Sequence, residues 1–305
     1  MNALTPSSHR TIAASLAKHA EQVEAAGPGR WSFQLDGGAR LQGAACHDSG
    51  WLSMEARQIR RAERKQPPSE RFSRMIRANA ELDDGVKFVL GDGPGEVRLA
   101  AEMPLEADDD LDPGPWIGRV CAGFREGVRR LASRAAPGPS HEADDVADPA
   151  EPDHEADGEL AALCQQAQWP FTQRASGQVV VPLDVPDELR GLLQASLAPG
   201  PAGVRRLRVE LAGAAPQTPV CRVAVEVLLL TACRTVRLAR AIGVRVRGGE
   251  GYGWEAVWEP EGGPRNLDHA LAALSVACRM TALEVGVLHE ETFARRYLAM
   301  RGIVG

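Results

Sequence analysis

The spacing of apolar and polar residues predicts a repeated order of helices and strands. Apolar residues at helical spacing between residues 5 and 26 predict an opening helix, which Gly27 and Pro28 end. Three short strands, an Arg-rich helical stretch, a hairpin and a closing helix follow. The strands are predicted at residues 31–35, 39–46 and 51–55, the hairpin strands at residues 86–90 and 96–103, and the closing helix at residues 113–133.

The second half of the chain repeats this order. Its elements are predicted as a helix at residues 158–168, strands at 171–175, 178–185 and 204–212, an apolar helix at 219–241, hairpin strands at 243–247 and 252–259, and helices at 266–288 and 290–301. A shift of 156 positions aligns Gly95 with Gly251 and Val120 with Val276, which favours a tandem duplication. We therefore expect an α+β protein of two tandem domains. Each domain is helix, three strands, helix, two strands, helix, with an antiparallel sheet packed by helices.

An acidic segment separates the two halves. Residues 136–158 are rich in carboxylates and prolines and contain almost no large apolar side chains. Such a segment buries too little surface to offset the entropy lost on ordering, so it is predicted to be a disordered linker. The domains are then residues 1–135 and 159–305.

The order of elements in each half resembles the type III secretion chaperones and the related YbjN-like proteins. The resemblance is carried by GEVRLAAEMPL at residues 95–105, followed by an amphipathic helix, and by YGWEAVWEP at residues 252–260. Members of these families typically dimerise through the sheet and bind extended segments of partner proteins. The resemblance implies a chaperone-like protein whose two copies pack as an internal pseudo-dimer.

The composition indicates which classes of partner and which cellular compartment to expect. The chain has 35 Lys and Arg against 41 Asp and Glu, and this net charge of −6 argues against a nucleic-acid-binding surface. Nearly all of the positive charge is Arg, and Ala, Gly and Pro are abundant, which is typical of a GC-rich bacterial genome. The longest apolar run, residues 223–233, is interrupted by Glu226 and is too short to span a bilayer. Six scattered cysteines predict reduced thiols in the cytoplasm.

Familiar catalytic and cofactor motifs are not found in the sequence. The glycine-rich turns that begin at Gly91 and Gly248 each lead into a strand, so they are interpreted as hairpin turns and not as phosphate loops. The segment that begins at His289 lacks the second histidine of a zinc-binding H-E-x-x-H motif. A loose metal site in the linker would use His141, Glu142, Asp144, Asp145, Asp153 and His154. We expect neither a metal nor a cofactor.

Two features are candidate partner-binding surfaces. The Arg-rich stretch at residues 57–77 is either a solvated helix face or a docking surface for an acidic partner, for which the acidic linker would compete. Two tryptophans share one strand face, which is either core or an exposed aromatic surface. The candidate residues are Arg57, Arg60, Arg61, Arg64, Arg71, Arg74, Trp254 and Trp258.

These observations predict a non-enzymatic protein-binding or chaperone-like module, either a monomeric pseudo-dimer or a homodimer, with no nucleic-acid or membrane partner. One alternative is an enzyme with an unrecognised site between the domains, using His47 or His269. Another is an architectural subunit with an interface on the apolar helix at residues 219–241. A pocket of titratable groups with perturbed pKa values would favour the enzyme, whereas a free strand edge or an apolar groove would favour binding.

Overall fold

The computed structural model of this chain describes ten stretches of sequence. They are residues 6–36, 40–58, 67–82, 85–93, 95–105, 112–132, 154–198, 205–246, 249–258 and 263–303. Most of the predicted linker therefore lies outside the described residues.

The first half forms one antiparallel sheet with three helices. Its elements are α1 (Pro6–His19), β1 (Glu21–Gly27), β2 (Arg30–Leu35), β3 (Leu41–Asp48), β4 (Trp51–Gln58), α2 (Pro68–Glu81), β5 (Lys87–Leu90), β6 (Val97–Pro104) and α3 (Gly114–Ala132). The sheet order is β1-β2-β3-β4-β6-β5, so β1 and β5 are its edge strands.

The second half repeats the arrangement and adds one helix. Its elements are α4 (His154–Gln166), β7 (Thr172–Gln173), β8 (Val179–Pro182), β9 (Gln194–Ala198), β10 (Arg205–Glu210), α5 (Pro219–Thr235), β11 (Ala239–Val246), β12 (Gly249–Trp258), α6 (Gly263–Val287) and α7 (Glu291–Met300). The sheet order β11-β12-β10-β9-β8-β7 matches that of the first half strand for strand.

The structure confirms the α+β fold class, with two six-stranded antiparallel sheets in tandem. Each half has four strands before its middle helix, where three were predicted. In the first half the additional strand is β1, which lies within the predicted opening helix. Its side chains are almost all exposed, so its sequence lacks the apolar alternation of a half-buried strand. In the second half the additional strand is β9.

Two further predicted helix boundaries are wrong. Helix α4 begins at His154 and not at residue 158, so the last residues of the predicted linker are helical, and a carboxylate oxygen of Asp157 accepts a hydrogen bond of 2.7 Å from the Val179 amide. Helix α5 ends at Thr235 instead of continuing to residue 241. The chain is extended at Val236 and left-handed at Leu238 (φ 63°), and it then enters β11.

The closing helices of the two halves are equivalent, in a register that differs from the predicted one. The buried positions of α3 recur in α6 at a constant shift of 154 residues. The fully buried pairs are Ile117 and Leu271, Val120 and Leu274, and Phe124 and Cys278. The predicted shift of 156 is wrong for this helix, because it pairs buried Val120 with Val276, which is 44% exposed.

The two halves pack against each other through their middle helices and edge strands. Helix α2 contacts α5 and β11, and α5 contacts β5 in return. The middle helix of each half therefore packs against the edge strand of the other. The opposite edge of each sheet, β1 or β7, is remote from this interface in the strand order.

Helix α6 combines a core-facing side with an apolar composition. Among the described residues, Arg265–Val287 is the one helical segment long and apolar enough to cross a bilayer. Leu267, Leu271, Leu274 and Cys278 on this helix are fully buried against the second sheet and its neighbours. The core helix of a soluble protein has the same length and composition, so this segment is weak evidence for a membrane span.

Candidate functional site: a cavity between the two halves

A buried lysine of the first half anchors the interface. Lys87 on β5 forms a salt bridge of 2.9 Å with Glu102 of its own sheet. Its ammonium also donates hydrogen bonds to the backbone oxygens of Val236 (2.6 Å) and Ala239 (3.3 Å) in the other half. Val236 ends α5, so the lysine places its charge beside the negative end of that helix.

A buried arginine of the second half makes the reciprocal contact. Arg240 on β11 pairs with Glu255 of its own sheet at 2.7 Å. Its guanidinium donates to the backbone oxygens of Leu82 (2.5 Å) and Val86 (3.2 Å) in the first half. Leu82 ends α2 as Val236 ends α5, so each half neutralises the carboxyl end of the other's middle helix.

Glu255 is the centre of a larger ion cluster than its counterpart. It is fully buried and also pairs with Arg208 at 2.9 Å and with Arg206 at 3.7 Å. Burial alone would raise the pKa of Glu255, but Arg240 and Arg208 hold it below its ordinary value. Arg206 donates to the Ala80 backbone oxygen of the first half at 2.9 Å, so this cluster also crosses the interface.

Asn79 and Cys233 occupy corresponding places near the ends of α2 and α5. The Asn79 Oδ1 atom accepts a hydrogen bond from the Phe88 amide (2.7 Å) on β5, and the Cys233 Sγ atom accepts one from the Ala241 amide (3.1 Å) on β11. Asn79 also donates from Nδ2 to the Ala241 backbone oxygen at 3.0 Å. Burial raises the pKa of Cys233 to about 11, so its thiol stays protonated.

A cavity of about 550 Å³ opens beside this interface, at the turn end of the β11–β12 hairpin. Its size is in the range of ordinary ligand pockets. Its walls come from both halves, because α2 supplies Ser73, Ile76 and Arg77 and α5 supplies Glu226. The hairpin supplies residues 243–246 and 249–252.

Glu226 is the buried polar group of this cavity. Its side chain is 1% exposed, and its Oε1 atom accepts hydrogen bonds from the Ser73 hydroxyl (2.5 Å) and the Tyr252 hydroxyl (3.1 Å). Its Oε2 atom is also buried but has no hydrogen-bond partner among the described residues. Burial raises the pKa of Glu226 to about 7, although Ser73, Tyr252, Arg222 and Arg77 lower it.

None of the described charged groups forms a hydrogen bond with the Oε2 atom of Glu226. The Arg222 guanidinium lies 3.6 Å from Glu250 and donates to the Pro216 backbone oxygen at 3.4 Å. Arg77 and Arg245 are exposed at the cavity and form no hydrogen bond or ion pair with any described residue. The cavity thus combines a buried carboxyl group with an exposed rim that carries two unengaged guanidinium groups.

The edge of β11 supplies backbone groups to the same cavity. The amide and carbonyl of Ala241 point away from β12, toward Cys233 and Asn79. Because backbone direction alternates along an antiparallel strand, the amides and carbonyls of Gly243 and Arg245 also point to the outer edge. Both residues line the cavity, and no described residue forms a hydrogen bond to these groups.

The tryptophans predicted to bind a partner are core residues. Trp254 and Trp258 are 0% and 1% exposed, because β12 lies inside the sheet and α6 covers this face. The Trp254 indole donates to the Thr281 hydroxyl of α6 at 3.0 Å. Their prediction as an exposed partner-binding surface is therefore wrong.

The described arginines of the Arg-rich stretch lie on two different elements. Arg57 lies on β4 and donates to the Gln42 side chain at 3.1 Å, whereas α2 begins at Pro68. Arg71 and Arg74 donate to the backbone oxygens of Gly95 (3.0 Å) and Leu131 (3.2 Å) in their own half. The candidates Arg60, Arg61 and Arg64, and residues 136–153 of the linker predicted to compete for this stretch, lie outside the described residues.

The histidines of the enzyme alternative are not at the cavity. His47 on β3 contacts the Leu105 backbone oxygen at 3.1 Å and the ring of His9 at 6.0 Å between centroids. His269 on α6 packs its ring 5.6 Å from that of Trp51 in the other half. Glu226 and Tyr252 were missed as site residues. The signal that marked Glu226 is its position as an acid within an apolar helix.

The apolar helix proposed as an intermolecular interface is covered within the chain. Ten residues of α5 are buried, because α2, β5, α6 and α7 contact the helix. An apolar stripe is exposed instead on α6, whose members recur at helical spacing. They are Val276, Met280, Leu283 and Val287.

The fold and the interface define the chain as a tandem α+β protein with a cavity between equivalent halves. No family model matches this chain, and no curated protein or solved structure is significantly similar to it. Within the residues that the structure describes, no group of three or more His, Cys, Asp or Glu side chains is placed to hold a metal ion.

Proposed function

We propose that this chain is a non-enzymatic binding protein, in which two chaperone-like domains form an internal pseudo-dimer that binds an extended segment of a partner protein. Helix α2 packs against β11, but no described residue forms a hydrogen bond to the outward-facing amides and carbonyls of Gly243 and Arg245, and these groups carry the proposal. Exposed strand edges bind extended peptides by adding a strand, with backbone hydrogen bonds supplying affinity and pockets supplying specificity. The segment lies beside Gly243 and Arg245 and directs side chains toward Glu226 and the arginine rim.

The reciprocal contacts of Lys87 and Arg240 support the pseudo-dimer. They hold the two halves in a fixed arrangement, so that the cavity exists before the partner binds, and a preformed site loses less conformational entropy on binding. Six unpaired cysteines, five of them buried, fit a reducing compartment, and we place the protein in the cytoplasm.

A proline substitution at the edge tests the site. Arg245→Pro removes an amide that points into the cavity but is not part of the β11–β12 ladder. Arg245→Ala removes the same side chain and keeps the amide. Heptapeptides selected from a random phage library on the wild-type chain provide the probe. We expect Arg245→Pro to bind them about tenfold more weakly than Arg245→Ala, since a lost backbone hydrogen bond leaves an acceptor unsatisfied.

Hydrogen exchange provides an independent measurement of the same contact. Bound peptide should slow exchange of the Gly243 and Arg245 amides in the wild-type chain, which have no partner among the described residues. Equal affinities of the two variants, together with unchanged exchange at these amides, would contradict the proposal.

Glu226 and Tyr252 favour an enzyme as the second candidate function. A carboxyl group with a pKa near 7, hydrogen-bonded to a tyrosine in a cavity, is suited to general acid–base catalysis. In that role Glu226 would exchange a proton with a substrate that reaches Oε2. A hydrolysis or isomerisation activity that Glu226→Gln abolishes, without loss of peptide binding, would favour the enzyme.

A further inference from the structure

Resting on the proposed function, we infer that the bound segment inserts a lysine side chain into the cavity, where its ammonium group pairs with the free Oε2 atom of Glu226. Acidic residues of the segment, flanking that lysine, pair with Arg77 and Arg245 at the rim. The cavity is thus a site for a lysine in an acidic context.

In its carboxylate form, Glu226 needs a hydrogen-bond donor that the described residues do not supply. Oε1 is saturated by Ser73 and Tyr252, whereas Oε2 is buried without a partner among the described residues. Buried carboxylate oxygens in proteins are almost always hydrogen-bonded, because an unsatisfied one loses its hydration without compensation. A ligand that donates to Oε2 supplies this hydrogen bond.

Glu226 has one free carboxylate oxygen, and this favours an ammonium group over a guanidinium group as its partner. Arginine prefers a carboxylate that offers both oxygens to its planar fork. Glu226 offers one, because Oε1 already accepts two hydrogen bonds. The ammonium group of lysine is a compact point charge that binds a single acceptor, on a flexible apolar stem that fits a wall formed by Ile76 and Val244.

The rim explains why the flanking residues are acidic. Arg77 and Arg245 are exposed, line the cavity and have no ion-pair partner among the described residues. A segment with a lysine alone would meet repulsion from both guanidinium groups. Carboxylates on either side of the lysine convert that repulsion into attraction.

Binding is coupled to the loss of a proton. The groups facing Glu226 are Ser73 and Arg77 from α2, Arg222 from α5, and Tyr252 from β12, with Glu250 beside Arg222. With a pKa of about 7, Glu226 is about half protonated at pH 7, and an ammonium partner drives it to the carboxylate. About half a proton is therefore released per peptide bound at pH 7.

Peptide variants test the inference on the unaltered protein. From the random heptapeptide selection, we expect one position to be lysine between acidic residues. Replacing this lysine with norleucine, which keeps the stem and removes the charge, should weaken binding at least tenfold, and arginine should weaken it nearly as much. Calorimetry in phosphate and in Tris at pH 7 should show the released proton for the lysine peptide and none for the norleucine peptide.

Glu226→Gln provides the matched protein variant, because an amide oxygen still accepts the bonds from Ser73 and Tyr252. It should bind the lysine and norleucine peptides equally and release no proton. Selected peptides that protect Gly243 and Arg245 from exchange but bind equally well with norleucine would overturn this inference and leave the proposed function standing. If no selected peptide protects these amides, both are overturned.

Discussion

Each half of the chain binds the end of the other half's middle helix with a buried cation, and the two halves use different side chains. The first half places a single lysine, Lys87, on the carbonyls at the end of α5, and Glu102 balances its charge. The second half places Arg240 on the carbonyls at the end of α2 and surrounds Glu255 with two more arginines. The two halves share the position of the charge and of the carbonyl that ends the helix, whereas the residue types differ.

This difference indicates which groups at the interface have to be bound. A guanidinium group can satisfy a carboxylate and carbonyl oxygens at once, whereas an ammonium group is a point charge with three donors. In both arrangements a cation binds the buried residue that ends a middle helix, Val236 or Leu82, so the constraint is this carbonyl and not the identity of the cation. The half with more charges buried should be the more sensitive to losing one.

The largest expected effect is that of Arg240→Met. The change leaves fully buried Glu255 with only its more distant or more exposed arginines and leaves the Leu82 and Val86 carbonyls without this donor. Breaking a buried ion pair in this way costs about 3–5 kcal/mol of the free energy of unfolding, measured by urea titration. Arg208→Met is the control: it removes the donor to Glu255 Oε2, but its own side chain is 29% exposed and Arg240 remains in place, so it should cost about 1–3 kcal/mol, less than Arg240→Met.

Lys87→Met should destabilise the protein less than Arg240→Met. It leaves Glu102, whose side chain is 9% exposed, with a remaining hydrogen bond of 3.3 Å from the Leu238 amide. Water can reach this carboxylate more easily than Glu255, so we expect a loss of about 2–3 kcal/mol in the same titration. A loss larger than that of Arg240→Met would show that the loss of stability does not follow the number of buried charges in each half.

The burial of Glu226 makes the stability of the folded chain depend on pH, because it raises the pKa of this carboxyl group. The pKa of Glu226 is about 7 in the folded chain, above the ordinary 4.5 expected after unfolding, so the folded state binds more protons between these values. The free energy of unfolding therefore falls as the pH rises from about 4.5 to 7. The contribution of Glu226 to this fall is about 3 kcal/mol from the shift at 1.36 kcal/mol per pH unit.

Glu226→Gln isolates that contribution. The difference in unfolding free energy between the variant and the wild type should grow in favour of the variant across pH 4.5 to 7 and then level off. Chemical denaturation at five pH values measures it. A difference that stays constant with pH would show that Glu226 titrates normally.

The smallest expected effect is a change in tryptophan emission, and it compares a buried tryptophan with a partly exposed one. Trp254 is fully buried on β12, and Trp51 is partly exposed at the edge of the interface, where Arg237 lies 4.9 Å above its ring. Trp254→Phe should remove emission that iodide does not quench, whereas Trp51→Phe should remove emission that iodide quenches. The opposite order would contradict the burial of the second sheet.

The sequence supported the prediction of elements with a strong local pattern. The hairpins at β5–β6 and β11–β12 and the closing helices α3 and α6 carry apolar periodicity and glycine turns, and they form near the predicted positions. Strand β1 was missed because an exposed edge strand has no buried face to impose alternation. The end of α5 was misplaced because the apolar residues of helix and strand run together from Val236 to Ala241.

The cavity could not be predicted because its parts are brought together only by packing of the two halves. Ser73 and Glu226 are 153 residues apart in the chain. Glu226 and Lys87 each carried a local signal, as single charges among apolar neighbours, but the sequence did not identify their partners. For Trp254 and Trp258 the sequence allowed an exposed strand face. In the structure α6 covers this face.

Hydrogen-exchange mass spectrometry across a urea titration tests the central claim that the two halves are locked together by reciprocal buried cations. Peptides from β2–β4 report on the first half and peptides from β10–β12 on the second. The wild-type chain should show one coincident unfolding transition for both sets, and Arg240→Met should separate them. Two separate transitions in the wild-type chain would contradict the claim.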